Sequence, residues 1–426
     1  MTTVLRGGTL IDGTGRDPIS PAILIFDGEW ILAAGKEGEV EVPDDARVVD
    51  LVGQTLLPGL IDSHSHLHWD AVHDLKEQCL DDSREASAFK AAMNCRKHLT
   101  AGVTTIRELS SRRGLLFEVQ MAKAAGLLSG PRIFHCGTHL CITGGHVYFY
   151  GIQCDGTTAI REAVREQIKY GATWIKLMGG GSREEALSPT LSRTGPSWIH
   201  LPAREGEKPS RAYPDFTREE IAAAIDEAHR AGRKVTVDVW DAGAMRNFFE
   251  LGVDCLEHGG PYDDDMLEMM TKQGIWLCPT LSPSHLQATE GERLGLAPYE
   301  IERRREGLER RAGELRKAVD AGVQLVMGTD AGSPAVPHDR TAAELEAMVA
   351  AGLCKDAMEA IVVSTRNGAE MLGALDKLGT LQADKLADVL VVDGDPLDDL
   401  AALSRVKRVY LGGELMVMDG VVQRPM

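Results

Sequence analysis

His64 and His66 stand at the end of a mostly apolar run, residues 56–66, that reads as a buried strand. Side chains alternate between the two faces of a strand, so both imidazoles point the same way, roughly 6–7 Å apart along the backbone. Imidazoles so placed can meet on one metal ion. Asp62 shares their parity one step deeper, where it could orient a ligand from behind. The ordinary alternative is a strand end with two half-exposed histidines. Four further polar residues stand at or near the ends of short apolar runs: Lys176, Asp238, His258 and Asp330. In residues 235–240 the valines take one parity, and Thr236, Asp238 and Trp240 take the other. Singly, His258 reads equally as a satisfied core histidine, Lys176 as the partner of a buried carboxylate, and Asp330 as the cap of a turn. An inward lysine with three histidines and two aspartates at one mouth points instead to a metal site.

Strands that alternate with helices must carry these residues. Apolar strand-like runs end near residues 66, 108, 136, 178, 240, 258, 280 and 330, and helical stretches fall between them. Eight such steps are the number that closes a (β/α)8 TIM barrel, an α/β architecture whose chemistry sits at the C-terminal strand ends. Residues 1–57 and 373–426 are instead short strands with Gly and Asp turns. The expected organisation is therefore a barrel over 58–372, with a small β-sandwich domain built from both termini (1–57 and 373–426).

One connection, roughly 179–215, is long for a strand-to-helix loop. It opens on Gly179, Gly180 and Gly181 and contains Trp198, His200, Arg211 and Tyr213. Following the fourth strand, it is expected to cap the mouth, as a lid or as a piece of a partner subunit's site, unless part of it is disordered. Trp198 and Tyr213 are its candidate substrate-binding residues. The charged run 300–317 reads as the solvated face of a helix.

The net charge of −18 argues against nucleic acid or an anionic membrane as the main partner. No apolar run approaches a membrane span, and residues 1–6 lack the pattern of a signal peptide. The eight cysteines are scattered without a C-x-x-C pair, as in a reduced, cytoplasmic protein. None stands out as a nucleophile.

The chain resembles the amidohydrolase superfamily, and within it the imidazolonepropionase-like and Xaa-Pro dipeptidase (prolidase)-like branch. The resemblance rests on residues 58–66, the Ile175 to Met178 strand, Leu256-Glu257-His258-Gly259 and Gly328-Thr329-Asp330. The tail from Gly379 through Leu397 and the segment Thr143-Gly144-Gly145-His146 also carry it. It implies that His64 and His66 hold a buried divalent metal and that Lys176, carbamylated by CO2, bridges it to a second. Desolvation, which lowers a lysine's pKa, helps to supply the neutral amine that adds CO2. His258 would bind the second ion. Asp330 would bind the first, take the proton of the attacking water and deliver it to the leaving amine. His146 would orient or polarise the substrate.

The chain departs from the pattern at Asp238, where the family usually places a histidine. Asp238 is read first as a replacement ligand, which favours a harder ion. Other readings are a weak second site in a one-metal enzyme, or a degenerate site in a scaffold protein. Trp240 either packs an aromatic substrate or fills the barrel top. The expectation is a metal-dependent hydrolase of an amide, peptide-like or carbamate C–N bond, with zinc as the first ion to test and manganese or iron as alternatives. Its substrate would be a small-molecule amide or dipeptide, and the chain is expected to be a homo-oligomer. A cyclic-amide hydrolase or deaminase is the alternative within the superfamily, and a non-catalytic scaffold the alternative outside enzymes.

Overall fold

In the computed structural model residues 2–72, 74–180 and 216–423 are described. The chain is α/β. Parallel strands Leu60–Ser65, Val103–Glu108 and Arg132–His135 form one sheet in chain order. A second runs through Ile152–Gln153, Leu140–Cys141, Trp174–Met178, Lys234–Asp238, Cys255–Glu257 and Trp276–Cys278. Leu60–Ser65, Val103–Glu108 and Trp174–Met178 are buried along their whole length, as parallel strands covered on both faces must be.

The Thr173 N–H donates to the His135 carbonyl at 2.9 Å, between a strand of one sheet and the start of a strand of the other. The segment expected as an eighth strand, 323–330, forms no continuous ladder. Leu325 makes a single bridge to Leu277, and Ala331, just beyond the segment, makes one to Ser65. The Asp330 N–H donates to the His64 carbonyl at 2.8 Å, so Asp330 is seated directly beside His64.

Helices follow the strands for readable reasons. Arg218–Arg230 begins at a capping box between Thr217 and Glu220, and buries Ile221, Ala224, Ile225 and Ala228 on one face. Gly252 and Gly274, at φ 88° and 68°, end Ala242–Leu251 and Asp264–Gln273 in the left-handed conformation that glycine adopts without penalty. Sequence reading expects one helix over 355–372. The structure instead widens into a π-turn at Val363–Asn367, where the Ser364 and Thr365 hydroxyls both bond the Ile361 carbonyl.

The two chain ends meet. Gln54–Pro58 pairs antiparallel with Val389–Asp393 in a six-stranded sheet, and Thr2–Arg6, Ala22–Asp27, Trp30–Lys36 and Arg47–Asp50 form a four-stranded one. Leu5, Leu24, Phe26 and Ile31 share an apolar core with Val389, Val391 and Tyr410. Among the described residues, no helix is long and apolar enough to cross a membrane.

Candidate metal centre

His64, His66 and Asp330 converge. One nitrogen of each histidine and one oxygen of Asp330 lie within 4.8 Å of one another. Asp330 Oδ1 is 3.6 Å from His64 Nε2 and 3.4 Å from His66 Nε2. Ligand atoms that share a tetrahedral ion with bonds of about 2.0–2.2 Å stand roughly 3.3–3.6 Å apart, so these separations fit a divalent cation. His64 Nε2 is fully buried with no hydrogen-bond partner, which an ion would remedy. Burial, reinforced by the charge of Lys176, pushes the His64 pKa down to about 3, leaving the ring neutral and able to coordinate.

Each ring is held through its other nitrogen. His64 Nδ1 lies 2.8 Å from Glu257 Oε2, His66 Nδ1 3.3 Å from the Ser110 carbonyl, and His258 Nδ1 2.6 Å from the Thr280 hydroxyl. Two further side chains hold the holders in turn. Glu108 accepts from the backbone N–H of Ser110 and of Leu67, and Arg311 donates to the Thr280 hydroxyl and the His258 carbonyl. Asp62 does not reach a ring. It accepts from the His64 and Thr329 backbone N–H groups and from the Thr329 hydroxyl at 2.6 Å, and so fixes the backbone of both ligand-bearing segments.

Lys176, Asp238 and His258 form an adjoining group. Asp238 Oδ2 is 3.0 Å from His258 Nε2 and 3.7 Å from Lys176 Nζ. Its other oxygen, Oδ1, is buried without a partner. Burial opposes ionisation of Asp238, but His258 and Lys176 outweigh it and hold the carboxyl well below its ordinary range. For Asp330 the hydrogen bond with His66 likewise overcomes burial and keeps it ionised. His64 and His258 rings are 4.9 Å apart, so the two groups are contiguous. His258 and Asp330 both adopt positive φ, 65° and 57°, a costly backbone that clusters at functional sites.

A cavity of about 620 Å3 opens over both groups, lined also by His146, Trp69, Phe149, Trp240 and Arg311. That is the size of a small-molecule site. Trp240 stacks on His258, with rings 5.2 Å apart and 8° from parallel. The expected site residues His64, His66, His146, Lys176, Asp238, Trp240, His258 and Asp330 all line this cavity. Trp198 and Tyr213 lie outside the described residues. Sequence reading missed Glu257 and Arg107 as a functional pair. The signal was present, since charged residues on the buried strands Cys255–Glu257 and Val103–Glu108 demand partners. A second buried group, His64, Glu257 and Cys278, is a poor cation site, because burial keeps the Cys278 thiol protonated and Arg107 already occupies Glu257.

Residues 55–416 match the model of the amidohydrolase family. The chain belongs to the amidohydrolase family. It is 27% identical to the ochratoxinase of Aspergillus niger over 98% of this chain and 87% of that one. It is 25% identical to the imidazolonepropionase of Deinococcus radiodurans, over 93% and 92%. It superposes on the crystal structure of a Xaa-Pro dipeptidase with bound methionine at a TM-score of 0.81 and 28% identity, covering 97% of this chain and 99% of that one. This amidohydrolase is thus a prolidase-like hydrolase that acts on C–N bonds, and its cavity carries residues able to hold the divalent metal usual in the family.

Proposed function

We propose that this amidohydrolase is a metal-dependent hydrolase of amide-type C–N bonds, with Asp330 as the general acid and base. The observation that carries the proposal is the convergence of His64, His66 and Asp330 within 4.8 Å. His64, His66 and Asp330 would hold the first ion, and His258 and Asp238 the second. When bound, a divalent cation supplies Lewis acidity, lowering the pKa of water and polarising the acyl oxygen. Lys176 would join the two groups as a carbamate: an amine that adds CO2 and loses a proton presents two oxygens that share one negative charge. Zinc is the first ion to test, and the carboxylate at Asp238 favours manganese or iron more than a histidine would.

Asp330, kept ionised, accepts the proton of the attacking water and passes it to the leaving nitrogen. His146, on the cavity wall, orients the scissile carbonyl. Trp240 and Phe149 give the cavity aromatic lining, suited to N-acyl amino acids, Xaa-Pro-like dipeptides or larger aromatic amides and carbamates. The parallel strands are read as a (β/α)8 barrel over 58–372. The bonds from Thr173 to His135 and from Asp330 to His64 support that closure. The paired terminal sheets are read as one small sandwich domain.

The test is amine release from a panel of these compounds. Wild-type protein should cleave at least one class, and Asp330→Asn should cut kcat by roughly 10²–10⁴-fold, the usual worth of a general acid–base group. Turnover unchanged by Asp330→Asn would remove it from the chemistry.

A further inference from the structure

Glu257 is fully buried and divides its two oxygens between different tasks. Oε2 faces His64 Nδ1 at 2.8 Å. Oε1 accepts from Arg107 Nη2 at 2.6 Å and from the Thr236 hydroxyl. Arg107, equally buried, donates from Nε to the Ser63 carbonyl at 2.7 Å and lies 4.5 Å over the Trp174 ring. The same ion pair therefore touches the His64 ring on one side and the backbone just before His64 on the other.

We infer that Glu257, clamped by Arg107, is a positioning residue that sets the tautomer and orientation of His64 and thereby the affinity of the metal centre. This rests on the metal-dependent reading above. A neutral imidazole carries one N–H, and an ionised carboxylate can only accept. The proton therefore sits on Nδ1, facing Glu257, and the lone pair sits on Nε2, facing His66 and Asp330. Without Glu257 either tautomer is available, and the ring loses the contact that fixes its rotation. Carboxylates that hold a ligating histidine in this way typically contribute 10–100-fold in metal affinity. The competing role is a plain tie between the strands Val103–Glu108 and Cys255–Glu257, which would act on stability alone.

The experiment separates the two on metal-stripped protein, reading apo Tm and then Kd for added Zn2+ or Co2+. Glu257→Gln should bind the ion roughly 10–100-fold more weakly than wild type. Arg107→Met with Glu257→Leu removes both charges together, so that neither is left buried alone. This double variant keeps the strands packed if the single one fails to fold, and it should show the same weakened Kd. A lowered apo Tm with wild-type Kd in either folded variant would overturn the inference in favour of the tie. Wild-type protein that takes up no divalent ion would instead overturn the metal-dependent reading, and the positioning role with it.

Discussion

In the proposed centre, Asp238 is the residue on which the second group turns. Its Oδ1 is buried without a partner while Oδ2 faces His258 and Lys176, which is how a side chain with one free ligating atom would stand. Asp238→Ala is expected to lower bound metal, and to cut turnover at least as much as the roughly 10–100-fold seen when a ligand merely loses its support. Metal content and kcat measured together check this, and near-normal values of both would take Asp238 out of the centre. Trp240 stacks on His258 and lines the cavity. If it also packs the substrate, Trp240→Ala should raise KM about 3–10-fold more for aromatic than for aliphatic amides, the worth of an aromatic pair. Equal rises would leave only its support of His258. The His64 and His66 pair was legible because a strand's period of two needs no long-range knowledge. Glu257 as the support of His64 was not, because its partners His64 and Arg107 lie on other strands, 193 and 150 residues away in the chain.

At the scale of elements, the strand ends gather the site and buried carboxylates brace the connections. Glu344, on the helix Ala342–Ala350, accepts from the Leu281 N–H and from the Ser282 N–H and hydroxyl, at the start of the helix Ser282–Thr289. Burial pushes its pKa up from 4.5 to about 7. Between those values the folded protein keeps a proton that the unfolded chain releases. Its contribution to stability is therefore complete below about pH 4.5 and falls as pH rises through 7, by an amount on the order of 3 kcal/mol. Glu344→Gln does not titrate, so its Tm should gain on that of wild type as pH rises from 4.5 to 8, apart from a constant offset. A Tm difference that stays flat over that range would show that Glu344 is ionised throughout. The alternation of strand and helix was readable from the apolar runs and the helical stretches between them. The π-turn at Val363–Asn367 was not, because Ser364 and Thr365 alter the helix through hydrogen bonds that propensity does not encode. Residues 323–330 read as a strand, yet among them only Leu325 makes a bridge, with a second at the adjoining Ala331, and Asp330 itself stands at positive φ.

Across the whole molecule, the two ends of the chain pair in one sheet, and the cavity over the strand ends is sized for a small molecule. Family membership was legible from the strand-end residues. Part of the expected substrate site, Trp198 and Tyr213, falls outside the described residues. Catalysis is proposed to depend on a divalent metal held between His64, His66 and Asp330. That dependence is tested most directly by elemental analysis of the purified protein, with amide hydrolysis assayed before chelation, after chelation and after the ion is restored. At least one divalent ion per chain, loss of activity when it is stripped, and recovery on its return are expected. A protein that carries no divalent ion and cleaves the same amides undiminished after chelation would contradict that dependence.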